Sequence, residues 1–555
     1  MPIPLPLNYV AELKKGTNSP NIILEIALDT ETKKLGYSDG GFPDVISCVK
    51  SVSSFQSKID YSKSISSKGN IKAVIVGKDN ISPLIGNHYL KNRRVTVKSG
   101  FITGGNSAFA YADYANIFTG KITDWKRDGH ELTLTISDDL YDTKKKLPVE
   151  NTSGTQYKSF VSINPVSAML RIMQNTSYLA IDSTYINSTA FVGERDEWIS
   201  NWKFERYITE PTEAMTYLNE LQVETNSFIF NDGKQITYKV FSPALPGQTS
   251  EGWTDEVNFL ADSLTVESGY SDNFFNKVVV YFDWMQDGDG TDDYESVVIA
   301  LDANSQSSTV WNETNTKTIK SKWIKSISVG QPSWASTDIV ITHASKQNSI
   351  GNGQLRYSQA NKTLEWMSPG STYGATVDIT ETGQYNIYDS DESKWVRVIV
   401  LSTSLSTAIS TATITLSQLH GNLYATVLSE RILTRFRDPV TVMNFDIDMN
   451  DASYDNTFIK PTDIKLITSD LISDKGKSTW SDEKVMITSI KPDWDKSKIS
   501  IEAVPTRLYR NYGFIAPAGF PDYSSASSTQ KEFGFIGDSS NHVGVPLVID
   551  GYYIF

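Results

Sequence analysis

Ile117-Phe-Thr-Gly-Lys-Ile-Thr-Asp-Trp-Lys-Arg-Asp-Gly-His-Glu-Leu-Thr-Leu-Thr-Ile136 alternates apolar and polar side chains on either side of a polar, glycine-containing centre. Period-two alternation puts one face of a strand in a core and the other in water, and an Asp-Gly pair accepts the positive φ angles of a tight turn. The reading is a β-hairpin: Ile117–Ile122, a turn over Asp124–Gly129, and a return strand Glu131–Ile136. The same grammar runs outward from about Asn21 to Pro148, so residues 1–150 form one expected β-domain. Far along the chain, Val485-Met-Ile-Thr-Ser-Ile-Lys-Pro-Asp-Trp494 leads into Lys498-Ile-Ser-Ile501 and loosely repeats the pattern, Asp-Trp included. Two generic hairpins match by chance; the other reading is a duplicated domain flanking an inserted middle. Under that second reading, three chains with two like domains each close a ring of six like positions.

The region between the hairpins changes character twice. In 151–245, Asn164-Pro165 caps a helix carrying Val166, Met169, Leu170 and Met173, and Glu210–Leu221 puts Ala214, Tyr217, Leu218 and Leu221 on one helical face. Phe228–Val240 follows as a hairpin with Asn231-Asp-Gly233 at its tip, which completes an α+β module. Residues 246–325 return to strands, including Val278–Phe282, before the acidic loop Asp287–Asp293. The polar, turn-rich stretch 326–408 reads as an inserted small β-sandwich or jelly-roll-like module. In 409–510 a helix over Ser417–Arg437, with Leu419, Leu423, Val427, Ile432 and Phe436 at helical spacing, ends at Asp438-Pro439 and precedes the second β-domain. Residues 511–555 are Gly- and aromatic-rich, an expected extended C-terminal arm. The expected fold class is therefore mainly β and multidomain.

Length and composition narrow the function. A chain of 555 residues exceeds a single core, and three to five domains are expected. A net charge of −14 argues against specific nucleic-acid binding, which depends on neutralising phosphates. The one cysteine, Cys48, lies in the apolar stretch Val45–Val49 and reads as a core residue. Met1-Pro-Ile-Pro-Leu-Pro-Leu has no secretory pattern, and no run approaches the ~20 apolar residues of a membrane span. A soluble chain assembled in a reducing cytoplasm, without membrane insertion, is expected.

Chemistry-bearing patterns are sparse. The five histidines, His88, His130, His343, His420 and His542, have no zinc-site spacing. An EF-hand starting at Asp287 requires Glu at its twelfth position and meets Val298, so the acidic loop reads as a solvated tip. Asp446, Asp448, Asn450 and Asp451 alternate along one strand, which alone supplies no converging acid and base. No nucleophile elbow, Walker loop or dinucleotide fingerprint is present. No catalytic, cofactor-binding or metal residue is assigned, and no enzyme activity or cofactor is expected. Trp366, Tyr373, Tyr385, Tyr388 and Trp395 gather in the inserted module, the place where aromatic faces would stack on a sugar.

The succession of Ile117-Phe-Thr-Gly-Lys-Ile, Glu210-Pro-Thr-Glu-Ala-Met-Thr-Tyr-Leu-Asn-Glu-Leu, Asn276-Lys-Val-Val-Val-Tyr and Ser429-Glu-Arg-Ile-Leu-Thr-Arg-Phe-Arg-Asp-Pro resembles, in its order, the baseplate hub or tail-tip proteins of long-tailed, siphovirus-like phages and gene-transfer particles. The resemblance spans roughly residues 20–510. It implies two tail-tube-like outer domains and a homotrimer forming a pseudo-hexameric ring. That ring would join the tail tube or distal tail protein to tail-tip or fibre proteins, around a channel for tape-measure protein and DNA. The implied location is the virion tail tip. The alternative is a carbohydrate-binding adhesin or wall-degrading tail enzyme in which 326–408, or an unrecognised carboxylate pair, contacts cell-surface glycan.

Overall fold

The computed structural model describes residues 3–15, 19–61, 63–66, 69–103, 109–148, 150–151, 154–155, 158–200, 202–241, 252–268, 274–285, 290, 293–306, 311–325, 354–358, 363–367, 375–376, 383–389, 394–402, 411–413, 420–437, 439–451, 453–454, 457–473, 478–494, 496–506, 513–515, 535–538 and 551–554, with backbone alone between 354 and 413 and beyond 512. The chain is mainly β, in several sheets.

The expected first hairpin forms within an eight-stranded sheet. Its order is Val45–Ser47, Thr32–Gly36, Pro20–Ala27, Arg94–Phe101, Ala115–Asp128, Glu131–Ser137, Asn70–Val76, Val49–Val52. Alternation does what it promised: Leu132, Leu134 and Ile136 are fully buried, with Ile71, Ala73 and Ile75 beside them. The turn is shorter than the sequence suggested. Asp124 and Trp125 pair with Thr135 and Leu134, the strand runs on to Asp128 opposite Glu131, and only Gly129 and His130 turn the chain. Gly129 has φ +58 and His130 does not share it, the pattern of a two-residue turn with Gly first. Asp124–Asp128 looks like a loop in sequence because all five residues are exposed, so no apolar face marks the strand.

A second sheet has the order Gly252–Thr254, Ile464–Ser469, Trp480–Asp493, Lys498–Pro505, Thr441–Asp448, Thr265–Ser268. Residues 246–325 thus divide. Gly252–Thr254 and Thr265–Ser268 join this sheet, while Lys277–Trp284, Tyr294–Leu301 and Thr316–Lys320 build another. The strands described between 354 and 413 continue that other sheet through the pairing of Leu301 with Ala412. Helix His420–Phe436 packs on it with Tyr424, Leu428, Ile432, Leu433 and Phe436 buried. Val427, expected on the buried face, is half-buried; the side chains of Leu419 and Leu423 lie outside the described residues.

The α+β module holds helices Pro165–Gln174, Ser188–Trp198 and Ala214–Thr225 and the hairpin Ser227–Asn231/Ile236–Val240. Asn164 caps the first helix as its sequence implied, accepting from Val166 N at 3.0 Å and donating to Ile199 O at 2.8 Å. The middle helix escaped the sequence reading because Phe191 is its one buried side chain. Beyond residue 511, where an extended arm was expected, the described segments Gly513–Ile515, Phe535–Asp538 and Gly551–Ile554 pair as a three-stranded antiparallel sheet.

Two hydrophobic cores result. One joins the α+β module to the 277–300 strands and the 420–436 helix. The other is shared by the first and second sheets, from Ile22 to Ala503, and takes in Cys48.

Candidate assembly interface

The two sheets contain the same four-stranded unit. Asn70–Val76, Arg94–Phe101, Ala115–Asp128 and Glu131–Ser137 correspond to Thr441–Asp448, Ile464–Ser469, Trp480–Asp493 and Lys498–Pro505. In each unit the chain order of the strands, counted one to four, becomes the spatial order two, three, four, one, and every pairing is antiparallel. Register is kept in all three ladders. Lys121 ends opposite Arg94 as Met486 does opposite Ile464; Ile122 faces Ile136 as Ile487 faces Ala503; Ile71 faces Ile136 as Met443 faces Ala503. The long strand is 14 residues in both.

The bulges fix this correspondence. Register slips by one residue between Ile122 and Asp124, and again between Ile487 and Ser489, leaving Thr123 and Thr488 as the extra residues. Each threonine turns its hydroxyl onto the return strand at the same place: Thr123 Oγ1 donates to Thr135 O at 3.3 Å, Thr488 Oγ1 to Glu502 O at 3.1 Å. Superposing the bulges corrects the sequence alignment. Trp125 corresponds to Ile490 and Asp128 to Asp493, so the two Asp-Trp pairs that suggested the repeat are not equivalent. Trp494 lies past the end of its strand and stacks on Phe458 with ring centroids 5.5 Å apart, whereas Trp125 stands within its strand, 40% exposed. The usable signal was the shared Ile-Thr pair.

A short strand that sequence reading passed over ties the units together. Ser57–Asp60, which precedes the first unit's opening strand Asn70–Val76, lies antiparallel on the second unit's long strand, Ser57 opposite Ile490 and Lys58 opposite Ser489. Gln56 Nε2 reaches Ser489 Oγ at 3.1 Å, and Lys58 pairs with Glu502 at 2.8 Å. Ser57 Oγ donates to Asn231 O at 2.6 Å, anchoring the strap to the α+β module as well. Behind it, Phe55, Phe118, Phe458, Ile490 and Trp494 line a small cavity where the units meet. Gly69, just before the first unit's opening strand, donates its N–H to buried Asp138 Oδ2 at 2.7 Å while Asp138 N donates to Gly69 O at 3.0 Å. Any Cβ at Gly69 would stand 2.2 Å from the Phe55 ring.

Titratable groups sit in structural roles. Burial, with Asp139 alongside, pushes the Asp138 carboxyl up to about 7 against the hydrogen bond from Gly69. Burial likewise raises Glu224 well above the carboxylate range although Ser321 Oγ donates to it at 2.6 Å. Arg435 lies in an aromatic cage, 3.6 Å from the Phe241 ring and 4.8 Å from that of Phe436, and burial lowers its pKa to about 9. Burial opposes ionisation of Asp446, yet hydrogen bonds from Lys498 (2.7 Å) and Ser500 hold it below the usual range, and Asp448 caps the turn at Asn450 N. His88 is half-buried and His130 exposed; His343, His542 and the side chain of His420 lie outside the described residues, as do most of Asp287–Asp293 and the aromatic side chains of 326–408. Among the described residues no three His, Cys, Asp or Glu side chains gather as metal ligands would, and no helix is long and apolar enough to cross a membrane.

No protein-family model matches the chain, and no curated protein matches it. Solved structures similar to it include phage tail proteins. The 43 kDa tail protein of prophage MuSo2 from Shewanella oneidensis is 10% identical, with 88% of this chain and 98% of that one covered at a TM-score of 0.37. Prophage tail protein gp18 from Listeria monocytogenes EGD-e is 7% identical, with 88% and 95% covered and a TM-score of 0.39. The E. coli c3393 protein, a type VI secretion component described as similar to T4 tail proteins gp27 and gp5, is 9% identical, with 86% and 82% covered and a TM-score of 0.31. These are distant likenesses.

Proposed function

We propose that this chain is a structural subunit of a phage tail tip, a hub in which three copies close a ring and adapt sixfold to threefold parts. The carrying observation is the duplicated unit. Two copies of one four-stranded fold, in the same register and on one core, allow a threefold ring to present six like positions to a sixfold tube. The order of hub-like sequence segments supports the same reading. In it the chain works by assembly and not by catalysis, and it resides in the virion. Its partners are the distal tail protein or tube on one side and tip or fibre proteins on the other. The net charge of −14 suits a passage for tape-measure protein and DNA that neither adheres to. Native mass measurement tests this: three 61.8 kDa chains in one particle that binds the distal tail protein are expected. A monomer that persists on concentrating and binds no tail component overturns it.

A further inference from the structure

We propose that the free edge of the long strand Ala115–Asp128 beyond its bulge, centred on Trp125, accepts a strand from a second copy of this chain. The inference rests on the ring reading above and gives that ring its contact. The second unit shows how such an edge is used. There, the strap Ser57–Asp60 lies along Ser489 and Ile490, just past the bulge, and both are buried. The edge stops being able to pair two residues on, at Pro492, which has no N–H to give.

Among the described residues, no strand covers the equivalent edge of the first unit. Counting back from the two-residue turn, Asp128, Lys126 and Asp124 exchange hydrogen bonds with the return strand, so the backbone groups of Trp125 and Arg127 point the other way. Pairing with the preceding strand ends at Lys121, and no described strand pairs with Asp124–Asp128 on that side. The Trp125 N–H is held by the neighbouring Asp124 Oδ1 at 2.9 Å, and the indole is exposed. Arg127 stands where the second unit has Pro492, so this edge keeps a donor one pair further along.

The occupant follows from the same symmetry. The chain's own strap is already committed to its own second unit, and in a ring of alternating units each first unit faces the second unit of the next copy. A strand from that copy would repeat at Trp125 the contact that Ser57 makes at Ile490. Such an addition contributes main-chain hydrogen bonds and buries one large aromatic side chain.

Hydrogen exchange on the unmodified full chain tests this, comparing dilute and concentrated samples whose masses are measured in parallel. Amides of Trp125 and Arg127 are expected to slow by about tenfold or more in the assembled form, while Ile490 is protected in both. A trimer in which Trp125 and Arg127 exchange as in the monomer overturns this contact and leaves the ring reading standing. A chain that stays monomeric throughout overturns both. The variant Trp125→Pro keeps its own hairpin, because the N–H it loses faces outward, and should weaken self-association by about tenfold with the monomer's melting temperature unchanged. Unchanged self-association in a folded W125P also overturns the proposal; if W125P does not fold, the exchange experiment decides.

Discussion

Replacing Asp138 by Asn should make the protein's stability less sensitive to pH, by an amount the site itself sets. The carboxyl is buried at the end of the return strand, and burial with Asp139 alongside raises its pKa from 3.8 to about 7. In the unfolded chain it titrates near 3.8, so between those values the native state holds the proton that the unfolded state has lost. Stability therefore falls as pH rises through that window and levels off above about 7. At 1.36 kcal/mol per unit, the whole shift amounts to about 4 kcal/mol, of which about 2.5 kcal/mol is lost between about pH 5 and pH 7.5. Asn keeps an oxygen for the Gly69 N–H and has nothing to ionise. Urea unfolding of both proteins at the two pH values should show the wild type losing about 2.5 kcal/mol more than D138N on going to the higher pH. Glu194, Glu224, Asp232 and Asp463, also raised by burial, tilt both proteins alike and cancel in the difference. An equal loss in the two proteins would refute the reasoning, since Asp138 would then ionise as freely in the fold as outside it.

Thr488→Val removes a fully buried hydroxyl whose single hydrogen is shared between the carbonyl and the carboxylate of Glu502 and should cost about 1–3 kcal/mol in chemical unfolding, while Thr123→Val, at the half-buried counterpart, should cost about 0.5–1 kcal/mol. Arg435 is buried with no hydrogen-bond partner for Nη1 or Nη2 among the described residues, so Arg435→Met should be neutral or stabilising in the same assay, whereas Arg435→Ala, which opens a cavity among Phe228, Phe241 and Phe436, should destabilise by about 3 kcal/mol.

What could be read from sequence followed the length over which one periodicity holds. The first hairpin was legible because Leu132, Leu134 and Ile136 alternate with polar residues, and the 165–174 helix because Asn164-Pro165 opens it and its buried face repeats at helical spacing. The 188–198 helix, with one buried residue, has no such signal. Duplication was visible only at the hairpins, and through the wrong pair of residues. Trp125 and Trp494 share an identity but have different surroundings, while the equivalent Trp125 and Ile490 share a backbone position and differ in that the strap covers one edge and no described strand covers the other. The strap could not be found in sequence. Four residues, Ser57–Asp60, carry too little periodicity to announce a strand, and their partner lies more than 400 positions away. The splitting of 246–325 between two sheets has the same cause, since nothing local tells Thr265–Ser268 that its partner is Thr441–Asp448.

In the proposed hub, two like units per chain let three chains form six like positions around a passage. Single-particle imaging of the purified 555-residue chain, reconstructed without imposed symmetry, tests this. The account predicts a threefold ring in which density for 70–137 alternates with density for 441–505, each pair of neighbours joined beside a bulged long strand. A monomer, or a closed assembly in which the two units do not alternate around a common axis, would contradict it.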